Sequence, residues 1–425
     1  MNTHYKPRIL DRQLKRRLEG IGAVLIEGPK LCGKTTTAEQ IAGSVLYMAL
    51  PESRAENIRM VQLAPNILLQ GETPRLLDEW QIAPGLWDSV RFEVDHRETP
   101  GQFILTGSAV PANRDEIFHT GTGRISWLRM RPMTIFESGE SNGSISLNDL
   151  FEGAEGLAGV NMLSLEDIAY LTCRGGWPTA SNQTGEIALD RAFDYYDAVV
   201  NEDISRVDGV HRSVERAKRL MRSYARNQGT QTSIEAIRQD MLANDTMSLD
   251  AKTVQSYIDA LKKIFVIEDM PSWNPNLRSK AAIRTTDTRY FIDPSIGVAA
   301  LGVGPTDLIN DLETFGLMFE SMCVRDLRVY ADALGGAVYH YRDKNGLECD
   351  AVIHLRNGSY GLIEIKLGGT EAIEHGASTL KKLNNIIDTG KMKKPSFMAV
   401  LTGIGKYAYQ REDGVYVIPL GCLKD

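Results

Sequence analysis

Residues 23–35 read Ala23-Val-Leu-Ile-Glu-Gly28-Pro-Lys-Leu-Cys-Gly33-Lys34-Thr35, a four-residue apolar run that breaks into G-x-x-x-x-G-K-T. This spacing predicts a strand, a phosphate-binding loop and a helix in succession. Glycine is required at the fixed positions because the loop turns its backbone N–H groups inward around an anion, where a Cβ would block the approach. The helix that opens near Lys34 adds its positive end. Lys34 is expected to reach the β- and γ-phosphates of a bound nucleotide, and Thr35 to place its hydroxyl on Mg²⁺. Gly28, Gly33, Lys34, Thr35 and Thr36 are therefore the expected contacts to ATP, with Mg²⁺ as its companion.

A phosphate loop of this kind works with carboxylates on a second strand. Arg75-Leu-Leu-Asp78-Glu79 ends an apolar run downstream of the loop. Asp78 is expected to hold Mg²⁺, with Thr35, and Glu79 to polarise the attacking water. A third run, Gln102-Phe-Ile-Leu-Thr-Gly-Ser-Ala109, ends in hydroxyls. Thr106 or Ser108 can touch the γ-phosphate or the water from there, or simply cap the strand. Arg124, past that strand, is the candidate finger on the γ-phosphate, often supplied by a neighbouring subunit. It reads equally as an exposed charge, and Arg131 is the reserve.

The strings GPKLCGKTT, LLDEWQ, FILTGSA, GR (123–124) and RPMTIFE (131–137) resemble the N-terminal half of uncharacterised prokaryotic AAA+-superfamily ATPases that carry a C-terminal domain of unknown function. The similarity continues through Arg174-Gly-Gly-Trp-Pro178, Tyr195-Tyr-Asp197, Phe319-Glu320, Glu364-Ile-Lys366 and Val417-Ile-Pro-Leu420, nearly the whole chain. Arg75 departs from it, since the family usually keeps an apolar residue there. The resemblance implies an α/β chain: a P-loop AAA+-like parallel-sheet core (1–150), a helical lid (151–210), a winged helix (211–285) and a restriction-endonuclease-like module (286–425). It brings no substrate with it.

The residues themselves support that division. At 425 residues, 43% of them hydrophobic and 24% charged, the chain suits two or three globular domains. Ala192, Tyr195, Tyr196 and Val199 recur at helical spacing between Leu165 and Val207. Three helices are expected over 213–227, 233–241 and 249–265, the last with Val254, Ile258, Leu261 and Phe265 on one face, followed by a strand over 265–270. Lys252, Thr253, Gln255, Ser256 and Lys262 lie on the outer face of the third helix with Asp259, and the first helix is rich in arginine. Such a unit binds DNA in the major groove or serves protein contacts.

The last third carries a second constellation. A strand over 347–355, the turn Arg356-Asn-Gly-Ser359 and a strand over 360–366 form a hairpin signal. Glu364 and Lys366, two apart, project from one face, and Asp350 on the partner strand can approach them. Two carboxylates sharing a divalent ion beside a lysine suit phosphodiester attack. Glu320, on the helix 313–330, can add a fourth group. The D…E-x-K arrangement resembles the PD-(D/E)xK nuclease superfamily, which implies catalytic Asp350, Glu364 and Lys366, with Glu320, Asp350 and Glu364 as metal ligands. Charges alternating on the solvent face of a hairpin are the plain alternative.

No apolar run approaches the roughly 18 residues of a membrane helix, and the basic, polar stretch 1–18 is no secretory signal. Cys32, Cys173, Cys323, Cys349 and Cys422 form no C-x-x-C pair, which fits a reducing, cytoplasmic compartment. His4, His96, His119, His211, His340, His354 and His375 show no ligand spacing. Net charge is −7, so nucleic acid, DNA before RNA, must be held by local basic patches. The leading expectation is a Mg²⁺-dependent ATPase that acts on nucleic acid with a nuclease-like site. A homo-oligomer and an unidentified protein partner fit as well. The alternative is an ATP-dependent switch or scaffold with an inactive C-terminal domain; a sequence-specific DNA-binding regulator comes third.

Overall fold

A computed structural model describes residues 5–110, 120–242, 249–275, 286–390 and 392–425. Its N-terminal strands are β1 (Ala23–Glu27), β2 (Ser44–Tyr47), β3 (Arg75–Asp78), β4 (Phe103–Gly107) and β5 (Ile125–Arg129). They form one parallel sheet in the order β2-β3-β4-β1-β5. A parallel sheet needs cover on both faces, so its strands are apolar throughout. Val24, Ile26, Leu76, Ile104 and Leu128 pack with Leu10, Leu14 and Leu18 of the helix Ile9–Gly20. Leu25, Leu77, Phe103, Leu105 and Ile125 face Leu86, Trp87 and Val90 of the helix Leu86–Arg97. Because the strands are parallel, the loops after β1, β3 and β4 open along the same edge, where ligands of such sheets bind.

The chain divides into two compact units. The first comprises Met1–Pro132, Asn201–Arg212 and Asp259–Val266; the second comprises Met133–Val200, Ser213–Ile258 and Ile267–Asp425. The N-terminal stretch of the sheet-bearing unit runs to Pro132, and residues 133–200 cluster with the C-terminal third. The reason lies in a buried polar cluster of the second unit. Arg325 pairs with Asp293 and Asp326, while Asp293 accepts from the Gly176 N–H and Asp326 from the Ile135 N–H. Those bonds bind residues near 135 and 176 to the C-terminal third.

The helices expected in the middle of the chain form: Leu165–Arg174, Glu186–Ala198, Val214–Arg226, Ile234–Leu242 and Ala251–Lys263. Val254, Ile258, Leu261 and Phe265 are all buried, as their spacing requires. The strand expected over 265–270 is reduced to single bridges, Ile267 to Phe291 and Met270 to Thr288, and Phe265 turns into the left-handed region. Among the described residues no extended wing strand follows the third helix; residues 276–285 lie outside them.

Two short strands, β6 (Ile145–Ser146) and β7 (Gly159–Val160), precede the C-terminal elements. There the helix Leu312–Ala333 leads into β8 (Gly336–Arg342), β9 (Glu348–Leu355) and β10 (Tyr360–Lys366), an antiparallel meander. The helix Thr370–Ile386 returns the chain to β11 (Phe397–Thr402), which runs parallel to β10. With β12 (Tyr407–Gln410) and β13 (Tyr416–Pro419) the sheet order is β7-β12-β13-β11-β10-β9-β8, and β14 (Leu423–Lys424) pairs with β6. The Arg356–Ser359 turn closes as the sequence predicts, with Gly358 at a φ of 83° that suits glycine. Val352, Leu362 and Val400 of the sheet meet Leu380 and Leu383 of the helix in the core.

Candidate active sites

The first site lies at the carboxyl edge of the parallel sheet. Gly28 leaves β1 so close to the next strand that a Cβ there would sit 2.0 Å from the Met130 carbonyl oxygen. Gly33 opens the helix Lys34–Glu39 at a φ of 100°. Lys34 is buried, and its Nζ donates to the carbonyls of Gly28 (3.0 Å) and Pro29 (2.7 Å). Thr35 Oγ1 donates to Asp78 Oδ1 at 2.6 Å, and Thr106 Oγ1 donates to the same oxygen at 2.7 Å. Thr106 also accepts from the Glu79 N–H. Hydroxyl and carboxylate oxygens are the donors Mg²⁺ prefers, so Thr35 and Asp78 fit the ion expected there.

Glu79 sits in the left-handed region at φ 56°, and its carboxylate is held by Ser108 Oγ (2.8 Å) and by Gln81 Nε2. Thr106 and Ser108 therefore act on different carboxylates, which the sequence left undivided. Thr36 is half-buried on the first turn of the helix. Cys32 is buried in the loop with its Sγ 3.6 Å from the Met130 carbonyl oxygen.

Arg124 is not brought to this site within the chain. Its carbonyl accepts from Ala23 N, at the start of β1, so it lies at the opposite edge of the sheet from the loop. Its guanidinium pairs instead with Asp95 at 2.8 Å. The reserve candidate Arg131 is buried close to the loop. Sequence reading missed Arg8, whose guanidinium donates to the carbonyls of Cys32 and Arg131, both at 2.8 Å, and so braces the loop. Gln81 was quoted in LLDEWQ but given no role.

The second site forms on β9 and β10. Asp350 Oδ2 accepts from the Ile365 N–H (2.7 Å) and from Lys366 Nζ (3.0 Å), and Lys366 Nζ lies 2.7 Å from Glu364 Oε2. Glu364 is buried and Glu320 half-buried, and Glu320 accepts from the Tyr290 hydroxyl. Gly229 packs on Glu320 so closely that a Cβ would lie 2.8 Å from its Oε1. Burial first, and then the charge of Asp350, push both Glu320 and Glu364 up to about 8. Burial disfavours the Lys366 ammonium, but Asp350 and Glu364 outweigh it and raise that group.

The structure thus brings Asp350, Glu364, Lys366 and Glu320 together. Among the described residues, though, no three His, Cys, Asp or Glu side chains are placed to hold a metal ion. The Lys366 ammonium fills the space between two of the expected ligands and Tyr290 engages the third, so the metal set read from the sequence does not fit this arrangement. Tyr290 and Gly229 left no signal in the sequence, because both reach the site across long chain separations.

Residues 21–138 match the family described as AAA domain. Residues 165–307 match a domain of unknown function (DUF8612), and residues 315–423 another (DUF4143). The chain therefore carries an AAA-type domain, which suggests ATP binding and hydrolysis, followed by two domains of unknown function. Uncharacterized proteins of Mycobacterium bovis and Mycobacterium tuberculosis are each 23% identical to it over 367 residues, 85% of this chain and 74% of theirs. Among the described residues no helix is long and apolar enough to cross a membrane.

Proposed function

We propose that this protein is a Mg²⁺-dependent ATPase that acts on nucleic acid through a C-terminal nuclease-like site. The observation that carries the ATPase half is the convergence of Lys34, Thr35, Asp78 and Thr106 at the mouth of a G-x-x-x-x-G-K-T loop. Lys34 leaves its carbonyl partners for the phosphates, and Gly28, Gly33 and Thr36 shape the loop around them. Thr35 and Asp78 hold Mg²⁺, which neutralises phosphate charge when bound. Glu79 orients the attacking water once Ser108 and Gln81 release it. Arg124 can reach a phosphate only from a neighbouring copy.

Support for the nucleic-acid half comes from topology and from the acid cluster. A helix, an antiparallel meander, a second helix and a parallel strand follow one another, with Asp350 on the middle strand of the meander and Glu364 and Lys366 on its last. That order and placement resemble the nuclease superfamily. Winged-helix character for residues 211–285 rests on the three helices.

A second reading has its own observation. Lys366 already answers Asp350 and Glu364, as a site retained for structure would. In that reading the ATP state controls a protein or DNA contact, and the C-terminal domain is inactive. Within the first unit, Lys30 of the loop pairs with Asp203 at 2.6 Å and Val110 N–H donates to the Lys263 carbonyl at 3.0 Å. The segment carrying Asp203 thus touches the phosphate loop, and the one carrying Lys263 touches the stretch that follows β4.

The deciding experiment follows ATP hydrolysis and DNA integrity in the same tubes, with Lys34→Ala and Glu364→Ala as controls. DNA-stimulated turnover with cleavage lost in Glu364→Ala supports the first reading. Turnover indifferent to DNA, with intact DNA, moves the conclusion to the switch.

A further inference from the structure

A cavity of about 120 Å³ opens beside Glu320 and Asp350. That is far more than one water requires and enough for one small planar or tetrahedral group. Its composition decides between them. Tyr290 and Tyr341 supply aromatic wall, and Gln231 and His340 supply polar edges. Three carboxylates line it, Glu320, Glu348 and Asp350, whereas Arg342 is engaged by Glu348 at 3.0 Å. Arg342 is thus already answered by Glu348, and Lys366 beside the cavity by Asp350, so neither is a free cation for a phosphate. A bare metal ion is not served either, since no three ligating groups converge among the described residues.

His340 marks the cavity as a place for a hydrogen-bonding guest. It is only 4% exposed, its Nδ1 lies 3.1 Å from Gln231 Nε2, its buried Nε2 meets no partner at good hydrogen-bonding geometry, and the Thr286 backbone is the other polar group acting on the ring. A buried polar atom so poorly served in a folded protein calls for an explanation. Burial drives the ring down to about 4 against the pull of the Thr286 backbone, so the imidazole is neutral near pH 7. The wall therefore offers neutral donors and acceptors from Gln231 and His340, together with aromatic surface.

We infer that this cavity receives one unstacked nucleobase of a single strand, with Gln231 and His340 reading its edge and Tyr341 and Tyr290 flanking it. Nucleic-acid proteins hold extruded bases by this combination of edge hydrogen bonds and aromatic contact. The inference rests on the nucleic-acid reading above and extends it. It assigns the base next to the Asp350–Glu364–Lys366 site to a pocket built partly from the loop 229–231, outside the hairpin.

Saturation-transfer NMR with the four free deoxynucleosides tests it without requiring cleavage. The full chain is used with its phosphate loop filled by a saturating non-hydrolysable ATP analogue, and deoxyribose serves as the control. Transfer to base protons of at least one nucleoside, and not to deoxyribose, is expected at roughly millimolar affinity. Gln231→Ala and His340→Gln should each weaken it about five- to tenfold, as the loss of one or two hydrogen bonds implies. Thermal denaturation checks that both variants fold, and Gln231→Ala removes no buried aromatic or core group. No transfer from any nucleoside at about 10 mM, or transfer untouched by both variants, overturns the inference even where a strand is cleaved. Base binding in a protein that leaves every strand intact retains the pocket and removes only the nuclease assignment.

Discussion

The phosphate loop and the Asp350–Glu364–Lys366 site treat charge in opposite ways. In the loop, Lys34 rests on two backbone carbonyls, neutral groups that a phosphate can outcompete. In the C-terminal site, Lys366 is bound to two carboxylates and Glu320 is pressed against Tyr290 and Gly229. The first site is set to accept an anion. The second has satisfied itself, and anything cationic that enters must first displace an ammonium group. This contrast teaches that a motif can be complete in its residues and still not be poised.

The largest expected effect breaks the first half of the comparison. Lys34→Ala should remove ATP binding in an equilibrium titration and with it essentially all turnover, a loss of about 10³-fold, the scale of removing a preorganised charge contact to the transition state. Retained nucleotide affinity would show that the carbonyl-bound lysine is structural. Glu79→Gln should separate the steps. It keeps ATP bound and lowers kcat about 10²- to 10⁴-fold, the scale of a general base, because Asp78, Thr35 and Lys34 are left in place.

The second half is probed by pH. Burial and the charge of Asp350 push Glu320 and Glu364 up to about 8 in the folded chain, above their ordinary value of 4.5. Between those values the folded protein binds more protons than the unfolded chain, so stability falls as pH rises through that window. The slope is at most about 1.4 kcal/mol per pH unit for each proton. Chemical denaturation of the full chain from pH 5 to pH 8 should show the decline, and Glu364→Gln should flatten it. Added Mg²⁺ that restores stability at pH 8 would mean the ion displaces Lys366, which favours the nuclease reading. Indifference to Mg²⁺ favours the switch.

The two sites also differ in how far the sequence revealed them. Gly28 to Thr36 is one continuous segment whose geometry is local, and Asp78 follows from strand order in a parallel sheet. The hairpin 348–366 was legible for the same reason, since Asn357-Gly358 and the alternation around it are short-range signals. Tyr290, Gly229 and His340 were not, because they meet Glu320 and Asp350 only through tertiary packing. Arg124 was undecided for a different reason. The sequence left it open between a finger, often from a neighbouring subunit, and an exposed charge; residue 124 precedes β5 and residue 129 ends it, so the strand puts Arg124 at the far edge within its own chain.

That position yields the smallest expected effect. Arg124 pairs with Asp95 at the surface, 45% exposed, at the sheet edge away from Lys34. An exposed pair of this kind contributes little to folding, and no path within the chain leads from it to a phosphate. Arg124→Ala should therefore leave the melting temperature and the ATPase rate of dilute protein unchanged, within about twofold in the latter. The same variant is then compared across a concentration series. If wild-type turnover per chain rises with concentration and the variant's does not, Arg124 acts on the nucleotide of a neighbouring copy, and the phosphate loop is completed in an assembly. Parallel curves would confine Arg124 to its surface pair and turn the search for a finger to Arg131, which already lies beside the loop.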